Sequence, residues 1–199
     1  MGQGARCWRC RHVKILVTGR PGVGKTTVVS KIAEGLREKG VSVGGMITYE
    51  AREKGVRTGF VVEDLKTGLK GVMASVGYAS GPRVGKYGVD IGEIERVGVK
   101  AIEDAVAGDE VIIMDEIGPM ELYSNAFKTA VSRAFSSPKK VVATIHYRAS
   151  QNPFCRRIVS LEGILTYVVK PDNRDALPRI ILRQLFPTYF NPAPHYDRH

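Results

Sequence analysis

The chain has 199 residues, 43% of them hydrophobic, and a formal net charge of +10. That suffices for one buried core and is too little for two ordinary domains. No stretch reaches the roughly 18 apolar residues of a membrane span, and three cysteines cannot build a disulfide framework. The first residues lack the apolar middle of a secretory signal, so a cytoplasmic protein without a membrane partner is expected.

Part of the positive excess lies in Arg6, Arg9, Arg11 and Lys14, and the rest is dispersed without a basic block. Dispersed charge suits a phosphate-rich small ligand better than an extended nucleic acid, and RNA stands as a lesser alternative partner. A monomer is the expected state. Cys7, Cys10 and His12 resemble half a zinc site, but a structural site needs four ligands and Cys155 is the only other thiol. Residues 1–12 are therefore read as a basic extension, 13–186 as the domain, and proline-rich 187–199 as a tail.

In chain order, Val13 to Thr18 is a nearly continuous apolar run, as in a strand buried on both faces. Val28, Val29, Ile32, Ala33 and Leu36 then recur at helical spacing, and Val41 to Thr48 reads as a second strand. "VRTGFVVEDL" and "GLKGVMAS" are short strands around Lys66-Thr67-Gly68, with an earlier turn at Glu53-Lys54-Gly55. No helical period separates them, so an antiparallel hairpin extension is expected. "GYASGPRVGKYGVD" reads as a loop.

A helix follows on Ile91, Ile94, Val97 or Gly98, Ala101, Ile102 and Ala105. Val111 to Met114 reads as a buried strand, and Phe127, Ala130, Val131 and Ala134 mark one face of a helix. Val141 to Ile145 and Ile164 to Val169 read as strands, and Asp175 to Leu185 as a last helix. Alternating strands and helices predict an α/β fold of three layers with a mostly parallel sheet.

Gly19-Arg20-Pro21-Gly22-Val23-Gly24-Lys25-Thr26 fits G-x-x-x-x-G-K-[ST] at every fixed position, between a strand and a helix. Glycines let successive amides turn inward around phosphate oxygens, and the helix start adds its positive dipole end. Lys25 would reach the β- and γ-phosphates, and the Thr26 hydroxyl would coordinate Mg²⁺. Thr27 continues the segment. The ligand is thus a nucleoside triphosphate.

Val111-Ile112-Ile113-Met114 ends in Asp115 and Glu116, a strand delivering two acids to the carboxyl edge where open α/β sheets bind ligands. Asp115 is read as the Mg²⁺ ligand and Glu116 as the base that activates water. A glutamate directly after the metal aspartate resembles the additional-strand, catalytic-glutamate branch of P-loop proteins. In that branch Val141 to Ile145 would lie between loop and acids, placing Thr144 and His146 near the γ-phosphate. For His146 an ordinary loop position remains the alternative. Arg148, Arg156, Arg157 and Arg174 are candidates to neutralise the transferring phosphoryl group, with Arg148 and Arg156 foremost.

"TGRPGVGKTT", "GFVVEDLKTG", "VGKYGVD", "VIIMDEIGPMEL", "ATIHYR" and "KPDNRDALPRII" together resemble the THEP1 family of nucleoside-triphosphatases over about Val13 to Leu185. The resemblance implies a RecA-like fold and slow Mg²⁺-dependent hydrolysis of ATP, GTP and other nucleoside triphosphates. It also implies that the nucleotide contacts Gly19 to Thr26 and Val111, Ile112, Ile113, Met114, Asp115, Glu116, Ile117 and Gly118. Two other functions fit the same loop. One is a nucleoside or small-molecule kinase, with 147–157 as a lid. The other is a nucleotide-gated RNA switch, weakened because Val169-Lys170-Pro171-Asp172 lacks the first polar residue of [NT]-K-x-D.

Overall fold

A computed structural model describes residues 13–190, so the Cys7/Cys10 extension and the end of the tail lie outside the described residues. The apolar run after Val13 forms β1 (Lys14–Thr18), and the glycine loop leads into α1 (Lys25–Arg37). The next strands are β2 (Val43–Glu53), β3 (Val56–Asp64), β4 (Lys70–Ser75), β5 (Arg83–Val84) and β6 (Tyr87–Val89). A helical segment, α2 (Ile91–Glu93) through α3 (Lys100–Gly108), leads to β7 (Val111–Ile117), α4 (Asn125–Ser136) and β8 (Lys140–Ile145). The remainder is α5 (Pro153–Val159), β9 (Ile164–Val168), α6 (Leu177–Leu185) and the short α7 (Pro187–Phe190).

All nine strands join one sheet in the order β5-β6-β4-β3-β2-β7-β8-β1-β9. Strands β2, β7, β8, β1 and β9 are mutually parallel, and every pairing beyond β2 is antiparallel. Strand β8 lies between β1 and β7, as the glutamate after Asp115 led us to expect.

The two faces of the sheet carry separate cores, which gives three layers. Ile15, Val17, Val111 and Ile113 pack under α1 and α6, whereas Leu16, Ile112 and Met114 pack on the opposite face with residues of α3 and α4. Alternating side chains thus meet helices on both sides, which explains the unbroken apolar runs of these strands.

Several elements differ from the sequence reading; β7, for one, runs on to Ile117 rather than ending at Met114. Strand β2 runs past Thr48 to Glu53, because β3 supplies partners from Met46 onward even where the residues turn polar. The glycine-rich stretch read as a loop contains the small β5–β6 hairpin, whose strands are too short to show a period. The helix beginning at Ile91 is π-helical over Ile94–Val99, burying Val97, Gly98 and Val99 in succession. That wider turn explains why the spacing did not choose between Val97 and Gly98; a side chain at Gly98 would meet Met46 Sδ at 2.9 Å. Finally, α6 starts at Leu177 rather than Asp175, with Pro178 in its first turn, where a missing N–H costs nothing.

Beyond Leu185, α7 forms a single turn, and Phe190 packs on the α1-side core.

Candidate active site

The site grows from the carboxyl ends of β1, β7 and β8. Thr18 Oγ1 donates to Ile145 O at 3.1 Å, closing the edge between β1 and β8. Gly24 then caps α1 with φ +105°, a left-handed conformation that disfavours any side chain, and Gly22 has φ +74°. These turns bring the loop to a helix start whose first amides have no intrahelical acceptor. No acidic residue occupies the first turn of α1 to take the place of an anionic ligand. Lys25 is buried behind the loop, and its Nζ donates to Gly19 O at 3.4 Å.

Opposite, the pairing of β7 with β8 is irregular between Met114 and Ile117. Such a break re-aims side chains, and it falls on Asp115 and Glu116. Asp115 is 0% exposed. Its Oδ1 accepts a short hydrogen bond from Thr144 Oγ1, while Oδ2 is buried without a protein partner among the described residues. Burial pushes the Asp115 carboxyl up to about 6, against the opposing hydrogen bond of Thr144. A buried, half-satisfied carboxylate beside a threonine hydroxyl is an all-oxygen donor set of the kind Mg²⁺ takes. The residues therefore fit the ion expected from the sequence.

Glu116 lies between the two halves. Its Oε2 is 3.7 Å from Lys25 Nζ, which sets loop and acids face to face on one edge of the sheet. Burial raises the Glu116 pKa, and Lys25 partly offsets the rise. His146 follows β8, and its backbone N–H donates to Ile117 O at 3.2 Å. Its Nδ1 accepts from Arg148 N at 3.2 Å, which assigns the ring proton of the neutral form to Nε2. Burial, then the nearby Lys25 and Arg148, lower its pKa and favour that neutral form.

A cleft of about 430 Å³ runs from Pro21, Gly22, Gly24, Lys25 and Thr26 past Glu116 and His146 to the β2–β3 arm. Of the expected contact segment, Glu116 and Gly118 line this cleft, and Asp115 is buried next to Glu116. Val111, Ile112, Ile113, Met114 and Ile117 are wholly buried in the two cores. In the loop, Arg20 and Thr27 are exposed and Val23 packs against the α1-side core.

None of the four candidate arginines lines the cleft. Arg148 borders an adjoining cavity of about 200 Å³ with Gly118 and Cys155. Arg156 is exposed and donates to Ser150 O at 3.1 Å, Arg157 lies over the Phe154 ring, and Arg174 Cδ borders Gly24. The arginine that does enter is Arg57 on β3.

Several cleft residues escaped the sequence reading, Glu121 and Arg57 among them. Glu121 is buried in the cleft wall, and its Oε2 accepts from Gly118 N at 3.2 Å. Burial, reinforced by Glu116, pushes its carboxyl up to about 8. Its signal was an acid three residues after a glycine, easily taken for a solvated turn. Arg57 lay in an exposed-looking polar strand with no signal at all.

The family profile described as NTPase matches residues 14–182. The nucleoside-triphosphatase THEP1 of Thermofilum pendens is 52% identical over 170 residues, covering 85% of this chain and 93% of that protein. The protein of the same name from Methanosarcina acetivorans is 46% identical over 170 residues, covering 85% and 94%. Among solved structures, THEP1 from Aquifex aeolicus superposes with a TM-score of 0.79 at 37% identity, covering 87% of this chain and 99% of that one. A human cancer-related nucleoside triphosphatase gives 0.76 at 34% identity, covering 89% and 98%. With the loop, the inserted strand and the paired acids in place, the chain belongs to the THEP1 family of P-loop NTPases.

Proposed function

We propose that the protein hydrolyses nucleoside triphosphates to the diphosphate and phosphate, with Mg²⁺ and with Glu116 as the base. The observation that carries this is the approach of Lys25 to Glu116, which puts an anion-binding loop and a partly desolvated carboxylate around one space. The loop amides and Lys25 bind the β- and γ-phosphates, and phosphate oxygens compete with Glu116 for the ammonium. Glu116 then takes a proton from water as the water oxygen attacks the γ-phosphorus and the bond to the β-phosphate breaks. Its raised pKa makes it a stronger base than a solvated carboxylate.

Thr26 and Asp115 would hold Mg²⁺, which would supply positive charge to offset that of the phosphates. Thr144 fixes Asp115 by its hydrogen bond, leaving Oδ2 toward the ion site. His146 offers Nε2–H as a neutral donor to the terminal phosphate. Broad use of ATP, GTP and other triphosphates fits the relatives' shared name, which specifies no base.

The test is phosphate release from ATP, GTP, CTP and UTP, with and without Mg²⁺ and with added RNA. Release from all four, lost on chelation and indifferent to RNA, is the expected outcome. Release that requires RNA, or none with any triphosphate, contradicts the proposal.

A further inference from the structure

Two acids come together over Gly118. A Cβ on this residue would lie 3.0 Å from Glu121 Oε2 and 3.5 Å from both Cγ and Oε1 of Glu116. The bare glycine leaves a space that the two side chains share. Glu116 turns its other oxygen, Oε2, toward Lys25 at 3.7 Å. One oxygen of the base thus looks to the phosphate loop, and the other lies on the Gly118 side with Glu121.

Glu121 is fixed in that place from several directions. It opens the single 3₁₀ turn Glu121–Tyr123 after β7, in which Leu122 N donates to Gly118 O at 3.2 Å and Ser124 N to Glu121 O at 3.0 Å. Ser124 Oγ in turn accepts from Phe127 N and caps α4, which ties the turn to a long helix. The Glu121 side chain folds back inside the turn, 5% exposed, and its Oε2 accepts from Gly118 N at 3.2 Å.

A carboxyl buried this deeply is costly unless it is neutral or paired with a cation. Among the described residues Glu116 has Lys25, whereas no lysine or arginine pairs with Glu121. Burial, then Glu116 and Asp115, raise the Glu121 carboxyl against the hydrogen bonds of its own and the Gly118 N–H. The Cys155 thiol nearby is also neutral, pushed up to about 11 by burial first and then by Glu121 and Glu116. A neutral acid, not a second anion, therefore stands beside the base.

We propose that Glu121 is a positioning residue for Glu116: anchored on Gly118 N, its side chain closes the space behind the base and keeps that carboxylate turned to the terminal phosphate. This rests on the reading of Glu116 as the base.

The experiment compares Glu121→Gln and Glu121→Leu in the full chain, each alone and combined with Glu116→Gln. Affinity for ATP and phosphate release from γ-labelled ATP are measured on each. Gln keeps the neutral shape and an acceptor for Gly118 N, whereas Leu fills similar space and accepts nothing. The Gln variant should release phosphate within about threefold of the parent. The Leu variant should be slowed about tenfold or more, with ATP affinity within a few-fold of the parent. In the Glu116→Gln background the change to Leu should slow release less than about twofold, because the group it acts through is already gone.

Release at the parent rate in Glu121→Leu overturns the proposal and leaves Glu116 standing as the base. A Gln variant as slow as Leu overturns it too, since shape and hydrogen bond would not suffice. Affinity lost together with rate in the Leu variant would mean that Glu121 supports the fold alone. A further tenfold loss in the Glu116→Gln background would show that it acts apart from the base. Glu116→Gln releasing phosphate at the parent rate overturns the proposal together with the reading beneath it.

Discussion

The parallel half of the sheet and the antiparallel arm meet at β2 and use their residues in opposite ways. In the parallel half, strands are apolar on both faces and end abruptly in a few polar residues: Thr18, Asp115, Glu116 and Thr144. In the arm, polar and apolar residues mix along each strand, and side chains as exposed as Val56, at 61%, are part of the pairing. One half fixes chemistry by rigid burial. The other shapes a wall, and its tolerance of exchange should be correspondingly greater.

Several substitutions sharpen or break that contrast. Lys25→Ala removes the charge that binds phosphate at the end of the rigid half, and phosphate release should drop to background. Release that persists within tenfold would show that the loop is not the anion site. Phe127→Ala, 0% exposed beneath β7, should cost about 3–5 kcal/mol in denaturant unfolding. Val56→Ala in the arm should stay within about 0.5 kcal/mol. Equal losses at the two positions would abolish the distinction.

A pH-dependent effect concerns Glu121. Its pKa is about 8 folded and near the ordinary carboxylate value unfolded, so the native state binds the extra proton between those limits. Stability from this group is full below the unfolded pKa and is lost as pH rises through about 8. Glu121→Gln, which keeps the neutral shape, should therefore gain Tm relative to the parent as pH goes from 5 to 8 in Mg²⁺-free buffer. A change of ~1 kcal/mol moves Tm by about 2–4 °C in a chain of this size. Parallel Tm curves would refute the buried proton.

The same contrast governs what could be read from the sequence. Loop, acids and inserted strand were legible because each combines an apolar run buried on both faces with polar residues at its end. The arm was half legible. The β3–β4 pair announced itself through alternation and turn residues, whereas the outer part of β2 and the β5–β6 hairpin did not. Their residues are held by cross-strand partners distant in sequence, and Tyr49 to Glu53 has no apolar pattern without β3 beside it. The arginines illustrate the same limit: four were placed by loop position, yet the one in the cleft projects from a paired strand. Glu121 was invisible for a different reason, since only burial distinguishes it from a surface acid.

The most direct test of the central claim is Glu116→Gln, with nucleotide affinity and phosphate release measured on the same sample. The substitution removes the proton acceptor while keeping its shape. Affinity within a few-fold of the parent and release slowed about 10²–10⁴-fold is the predicted result. Release at the parent rate would contradict the assignment of Glu116 as the base.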